Sequence, residues 1–147
     1  MRIAICDDYM EHAIDIKANI SGVNGEIITD LYDDIEHLFS EVRADKKKYD
    51  AVFMDMEWEK NMKSGVDYVQ MLSEMDCRAR IICVTAYTMK YIEKLFWNNV
   101  EIFGVLNKPV NRESLQKILE KLQADNDRLK EELVPVSYTH LTLPTTS

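Results

Sequence analysis

Three cysteines are all the thiols this 147-residue chain carries, and no two have the spacing of a metal site. Cys6 and Cys83 sit inside apolar runs and Cys77 in a helix-to-strand turn, which fits reduced thiols better than a disulfide framework. An apolar stretch long enough to span a bilayer is missing, and Met1 leads directly into a strand pattern without a signal peptide. These absences set the expectation of a cytoplasmic protein with no membrane segment. Basic residues are in deficit: 18 Lys and Arg face 26 Asp and Glu, leaving a net charge of −8. Such a chain repels nucleic acid, so any role in transcription must reside in another segment or a partner. What is present, 46% hydrophobic and 30% charged residues over this length, is the composition of one globular domain with room for little more.

Strand and helix patterns alternate along the chain. Residues 2–7 predict a first strand, and residues 9–20 a helix with Met10, Ile14 and Ala18 on its inner face. Residues 21–25 predict a turn in which Gly22 and Gly25 are free to take positive φ. A strand over 26–31 follows, then a helix capped by Asp33 or Asp34 and running to Ala44, with Ile35, Leu38, Phe39 and Val42 inward. Lys46-Lys47-Lys48 reads as a solvated loop. Residues 51–55 form the third strand, 57–64 a polar loop, and 65–75 a helix with Val66, Val69, Met71 and Leu72 as its apolar positions. Residues 80–85, 88–98, 102–106 and 111–133 complete the series as strand, helix, strand and long helix. Near-continuous apolar strands separated by helices imply an α/β fold whose parallel sheet is covered on both faces.

The strands end in chemically useful residues. Asp7-Asp8 closes the first apolar run, Asp55 the third and Thr85 the fourth, while Lys108-Pro109 follows the fifth. Taken singly, Asp7 or Asp8 reads as a helix cap, Asp55 as a loop acid, Thr85 as a β-branched strand end and Lys108 as a solvated lysine. Together at strand ends they read as one site, because in an open α/β sheet the ligand lies beyond the carboxyl ends of the strands. Phosphoryl transfer onto a carboxylate needs a nucleophilic oxygen, cations to neutralise the phosphoryl oxygens and tight positioning. Asp55 is the candidate nucleophile. Asp7 and Asp8 crowd two like charges beside it, and a hard divalent ion with oxygen ligands resolves that conflict.

The order Asp-Asp, Asp, Thr, Lys-Pro resembles the receiver domain of two-component response regulators, over residues 1–123. Ile-Ala-Ile-Cys-Asp-Asp and Val-Phe-Met-Asp-Met look most like regulators carrying a LytTR-type DNA-binding output domain. The resemblance implies a flavodoxin-like fold with strand order 2-1-3-4-5. It also implies that a sensor histidine kinase phosphorylates Asp55, giving an aspartyl phosphate that controls an output domain acting in transcription. Mg²⁺ would be bound directly by Asp8, Asp55 and the backbone carbonyl of Glu57, and by Asp7 mostly through water. Lys108 would pair with Asp55 at rest and with the phosphoryl group afterwards, and the Thr85 hydroxyl would swing onto that group. Such a domain is a signalling phosphoacceptor, not an enzyme, apart from self-catalysed phosphoryl transfer and autodephosphorylation.

Three departures from the family pattern stand out. Glu59 occupies the place of a usual proline, and Gly65 comes about two residues later than usual, so the loop over 58–64 is longer. Val105 replaces the switch aromatic three residues before the lysine; Phe103, expected on the same strand face, and Tyr87 are the available substitutes. These departures support an alternative, a phosphorylation-independent pseudo-receiver that serves as a dimerisation module. A flavodoxin-like FMN binder is disfavoured, because Asp7-Asp8-Tyr9 follows the first strand where a phosphate loop wants Ser, Thr and Gly.

The last helix is long. Leu115, Leu122 and Leu129 recur every seven residues, with Leu119, Asn126 and Leu133 in the companion register. Its first half is expected to pack on the sheet, and 124–134 to be a helical linker pairing two copies as a coiled coil, so that 111–134 forms a homodimer. Residues 135–147 lack Asp, Glu, Lys and Arg altogether. Val136-Ser137-Tyr138-Thr139-His140-Leu141 resembles one reading frame of a transposon end used in preparing sequencing libraries. The tail is therefore expected to be non-native, the gene interrupted after about Val134, and the output domain missing.

Overall fold

The computed structural model describes residues 1–60 and 62–133; Val134 of the expected linker and the expected non-native tail lie outside the described residues. The element order is β1 (Arg2–Cys6), α1 (Met10–Val23), β2 (Ile28–Tyr32), α2 (Ile35–Ala44), β3 (Ala51–Asp55), α3 (Gly65–Ser73), β4 (Arg80–Thr85), α4 (Thr88–Trp97), β5 (Gly104–Asn107) and α5 (Arg112–Leu133). All strands pair in parallel in the order β2-β1-β3-β4-β5.

Alternation along each strand splits the core into two layers. Ala4, Cys6, Val52, Met54, Ile81 and Cys83 face α2, α3 and Leu95 of α4. Ile3, Ile5, Ala51, Phe53, Ile82, Val84 and Leu106 face α1 and α5. With both faces covered, the inner strands β1, β3 and β4 are buried almost throughout, which is why they read as unbroken apolar runs, whereas the edge strand β2 is largely exposed or half-buried and carries Thr29 and Asp30. Within the second helix Ile35, Leu38, Phe39 and Val42 are all buried, and the Asp34 carboxylate caps it by accepting from the Glu36 N–H at 3.0 Å. Lys46 and Lys47 are exposed, but Lys48 pairs with Glu41 at 2.7 Å.

Several local expectations need correcting. The buried face of α1 is Ala13, Ile16 and Ile20, with Met10 partly buried, while Ile14 is 54% exposed and Ala18 lies outside. The helical period was right and its phase was wrong, because two apolar stripes are available and the sheet selects one. The helix also continues through Gly22 to Val23, and neither glycine there has a positive φ. Left-handed backbone falls instead on Asp76 and on Asn99, which follows α4 and lets the Val100 N–H close onto the Leu95 carbonyl at 3.0 Å. Strand β5 starts at Gly104, so Phe103 escapes the alternation. Its ring packs in the α1/α5 layer under Lys121, whereas Val105 is half-buried in the opposite layer. Phe103 therefore does not share the face of Val105.

Gly65 is required by close approach. A Cβ there would press on Met56 Cα and lie 2.5 Å from the Asp55 carbonyl oxygen, both backbone atoms that cannot turn aside. Gly65→Ala is expected to cost about 3 kcal/mol, at the upper end of overpacking effects. A urea midpoint within experimental error of the wild type would refute this contact.

Candidate functional site

The sheet places the site by aligning the carboxyl ends of its strands. The ladder runs one residue past the regular strands, with the Asp7 N–H on the Tyr32 carbonyl and the Lys108 N–H on the Thr85 carbonyl, both at 3.0 Å. Asp55 lies opposite Val84 in the same register. One ligand oxygen from each of Asp7, Asp8 and Asp55 falls within 4.8 Å of the others, and all three residues are buried. Lys108 Nζ joins them, 2.6 Å from Asp55 Oδ1 and 3.4 Å from Asp7 Oδ2. The structure thus assembles four predicted site residues from three distant places in the chain.

Hydrogen bonds divide the carboxylate oxygens into used and bare ones. Asp7 Oδ1 accepts from the Tyr9 N–H at 2.9 Å, and Asp7 Oδ2 faces Lys108 and, at 3.4 Å, His12 Nδ1. Asp8 Oδ2 accepts from the Glu59 N–H at 2.8 Å and the Lys60 N–H at 3.1 Å. Asp8 Oδ1 and Asp55 Oδ2, by contrast, are buried and accept from no group among the described residues. Two bare buried carboxylate oxygens in one acidic cluster are costly alone and suit a hard cation. Burial, above all, pushes the Asp55 carboxyl up to about 7; Lys108 opposes this and the Asp7 charge adds to it. Burial also works against the Lys108 charge, but pairing with Asp55, Asp7 and Glu57 outweighs it and raises the ammonium above its usual range.

Features that the sequence did not announce complete the site. The longer loop folds back over the cluster. Trp58 is 6% exposed, stacks edge-on against Tyr68, and donates its indole N–H to the Asp55 carbonyl at 2.7 Å. Lys60 Nζ reaches the Asp8 carbonyl at 2.9 Å and lies over the Tyr9 ring, whose hydroxyl donates to Glu59 at 2.7 Å. Glu59 can secure Asp8 through its N–H because it is not proline, which has none. Thr85 does not turn its hydroxyl to Asp55. Thr85 Oγ1 donates to Glu57 Oε2 at 2.7 Å, and the Ala86 N–H donates to Glu57 Oε1 at 2.8 Å. Tyr87 is 61% exposed, whereas Tyr91 on α4 is half-buried against the same layer as Val105.

Comparison with known proteins bears on this arrangement. The response regulator receiver domain family matches residues 3–120. A response regulator receiver domain protein from Clostridium thermocellum superposes with a TM-score of 0.72 at 18% identity, covering 87% of this chain and 98% of its own. The Vibrio cholerae chemotaxis protein CheY4 superposes with a TM-score of 0.67 at 18% identity, over 82% of this chain and 97% of its own. A CheY-like receiver domain protein from Methanospirillum hungatei gives 0.70 at 19% identity, over 86% and 97%. At such identities these likenesses speak for the fold alone. No curated protein matches the chain.

Proposed function

Since the chain belongs to the response regulator receiver family, we propose that it accepts a phosphoryl group on Asp55 from a sensor histidine kinase and so controls an output domain acting in transcription. The observation that carries this reading is the pair of bare buried oxygens, Asp8 Oδ1 and Asp55 Oδ2, in a cluster whose Asp55 Oδ1 pairs with the Lys108 ammonium. An Asp55 oxygen forms the new P–O bond while the bond from phosphorus to the donor's leaving atom breaks, and that leaving atom keeps the bonding pair. Lys108 moves its charge from the carboxylate to the incoming phosphoryl oxygens. The bare oxygens and crowded charges fit Mg²⁺, which Asp8, Asp55 and the Glu57 carbonyl would hold directly and Asp7 mostly through water. Such an ion would supply positive charge to the carboxylates and the phosphoryl oxygens and so favour the anionic form of Asp55.

The fold and composition suit a cytoplasmic domain; no helix among the described residues is long and apolar enough to cross a membrane. Intact-mass analysis after incubation with acetyl phosphate and Mg²⁺ tests the reading, and a phosphoryl adduct mapped to Asp55 is the expected result. A protein that stays unlabelled under these conditions, and with histidine kinases, would be the pseudo-receiver instead. That alternative draws its support from Val105, half-buried with Phe103 on the far side of the sheet.

Self-association through α5 belongs to the same proposal. Leu115, Leu119 and Leu122 are spent in the domain's own core, which leaves the seam to the second half of the helix. There the Asn126 carboxamide accepts from Arg80 Nη1 of the same chain at 2.8 Å, next to an Arg80–Asp125 ion pair. Arg80→Ala frees the Asn126 carboxamide, while Asp125 keeps its pair with Arg128 at 2.9 Å, so self-association should tighten several-fold by sedimentation equilibrium. Identical monomeric behaviour of wild type and Arg80→Ala at high concentration would leave this segment as an arm held on its own domain.

A further inference from the structure

We propose that the Glu57 carboxylate is a built-in occupant of the phosphoryl-oxygen donors, which an incoming phosphoryl group has to displace. The inference rests on the proposed function and concerns the regulation of that same site. Thr85 Oγ1–H and the Ala86 N–H stand at the end of β4 and would serve a phosphoryl group on Asp55. In the resting chain both are already taken, by the two oxygens of one carboxylate, at 2.7 and 2.8 Å. The arrangement is fixed from both sides. The Tyr87 N–H donates to Thr85 Oγ1 at 2.9 Å, which leaves the hydroxyl proton to point at Glu57. The Glu57 N–H donates to Asp55 Oδ1 at 3.2 Å, which ties the backbone of the occupant to the acceptor itself. Its charge also reaches Lys108, the cation that the phosphoryl group needs.

A carboxylate presenting two oxygens to a hydroxyl and an amide is the kind of acceptor a phosphoryl group also is. Neither donor can serve both anions well, and the two anions repel each other at this range. Phosphorylation therefore has to break two charge-assisted hydrogen bonds, which slows loading of Asp55. Expelled from the end of β4, Glu57 would alter the charge felt by the half-buried Tyr91 on α4, on which it already acts. With Val105 in place of a ring, this expulsion gives the site a way to report its state that needs no aromatic rotation.

The test compares labelling rates of the full chain by acetyl phosphate and Mg²⁺, followed by intact mass. Glu57→Ala leaves both donors free and should be labelled about tenfold faster than wild type, equivalent to about 1.4 kcal/mol of barrier. Glu57→Gln is nearly isosteric and keeps one acceptor oxygen, so its rate should fall between the two, about threefold above wild type. In a Thr85→Ala background one of the two donors is gone, and the gain from Glu57→Ala should shrink to about threefold or less. A side chain that merely braced the turn would lower or leave unchanged the rate when removed. Wild type labelled on Asp55 with both Glu57 variants equal or slower overturns the occupant role and leaves the receiver reading standing. An undiminished gain without Thr85 also overturns it. Absence of label in wild type and in both variants, with histidine kinases as well as acetyl phosphate, overturns the phosphoacceptor reading and this inference with it.

Discussion

Asp55→Asn should take up no phosphoryl group from acetyl phosphate or a histidine kinase, while wild type forms an acid-labile adduct. The amide cannot act as the nucleophile, and neither Asp7 nor Asp8 can substitute. Asp7 has both oxygens engaged. Asp8, whose Oδ1 is bare, is anchored through Oδ2 by the Glu59 and Lys60 amides and, among the described residues, has no lysine beside its carboxylate comparable to Lys108 on Asp55. Equal labelling of both proteins would sink the assignment of Asp55. The same substitution has a stability signature whose sign is fixed by burial. Burial pushes the Asp55 carboxyl up to about 7 from an ordinary 3.8, so between those values the folded chain holds a proton that the unfolded chain has lost. Without divalent cation, the stability contributed by the protonated form is therefore lost as pH rises through that window. Asn carries no charge, so Asp55→Asn should be more stable than wild type by about 2 kcal/mol above the window and by much less at its lower end. Urea titrations at both ends, in chelator, read this directly; a difference independent of pH would contradict the buried like-charge account.

How far the sequence announces this site follows from which features are local. The third and fourth strands were legible to the residue, since each is a buried apolar run closed by a polar side chain. The convergence of Asp7, Asp8, Asp55 and Lys108 followed from strand ends alone, because a parallel sheet aligns its carboxyl edges. What failed was phase and what was missing was reach. Ile14 and Ala18 share a stripe as regular as that of Ala13, Ile16 and Ile20, and only contact with the sheet distinguishes the two. Phe103 precedes β5, so alternation along the strand does not fix its face. Lys60 and the Glu57 side chain are invisible as site components in the sequence because their positions depend on how a loop folds back across more than one strand, whereas Trp58 is legible as a neighbour of Asp55 from its place in the loop. Glu59 was marked only as a missing proline. In the structure its N–H is a positive contribution, one of two amides holding Asp8.

The largest separable effect in the acidic cluster should come from the metal. Asp8→Ala is expected to weaken Mg²⁺ binding by more than about a hundredfold, and Asp7→Ala by about tenfold, the latter typical of a group that acts from outside the coordination sphere. The difference rests on the oxygen inventory. Asp8 Oδ1 and Asp55 Oδ2 are buried with nothing to accept, so a cation meets two oxygens whose desolvation has already been incurred. Both Asp7 oxygens have partners, in the Tyr9 N–H and in Lys108 with His12, and would have to give one up to bind directly. Trp58 supplies the readout, since its buried indole donates to the Asp55 carbonyl and feels any shift of that strand end. Removing Asp8 also unties the Glu59 and Lys60 amides, so each variant should first be shown to retain the wild-type Trp58 emission in chelator. With that baseline matched, Mg²⁺ titration should place Asp8→Ala far to the right of Asp7→Ala. Coincident curves would mean that the direct and water-mediated roles are wrongly divided, and the reverse order that Asp7 is the direct ligand and its present partners yield to the ion.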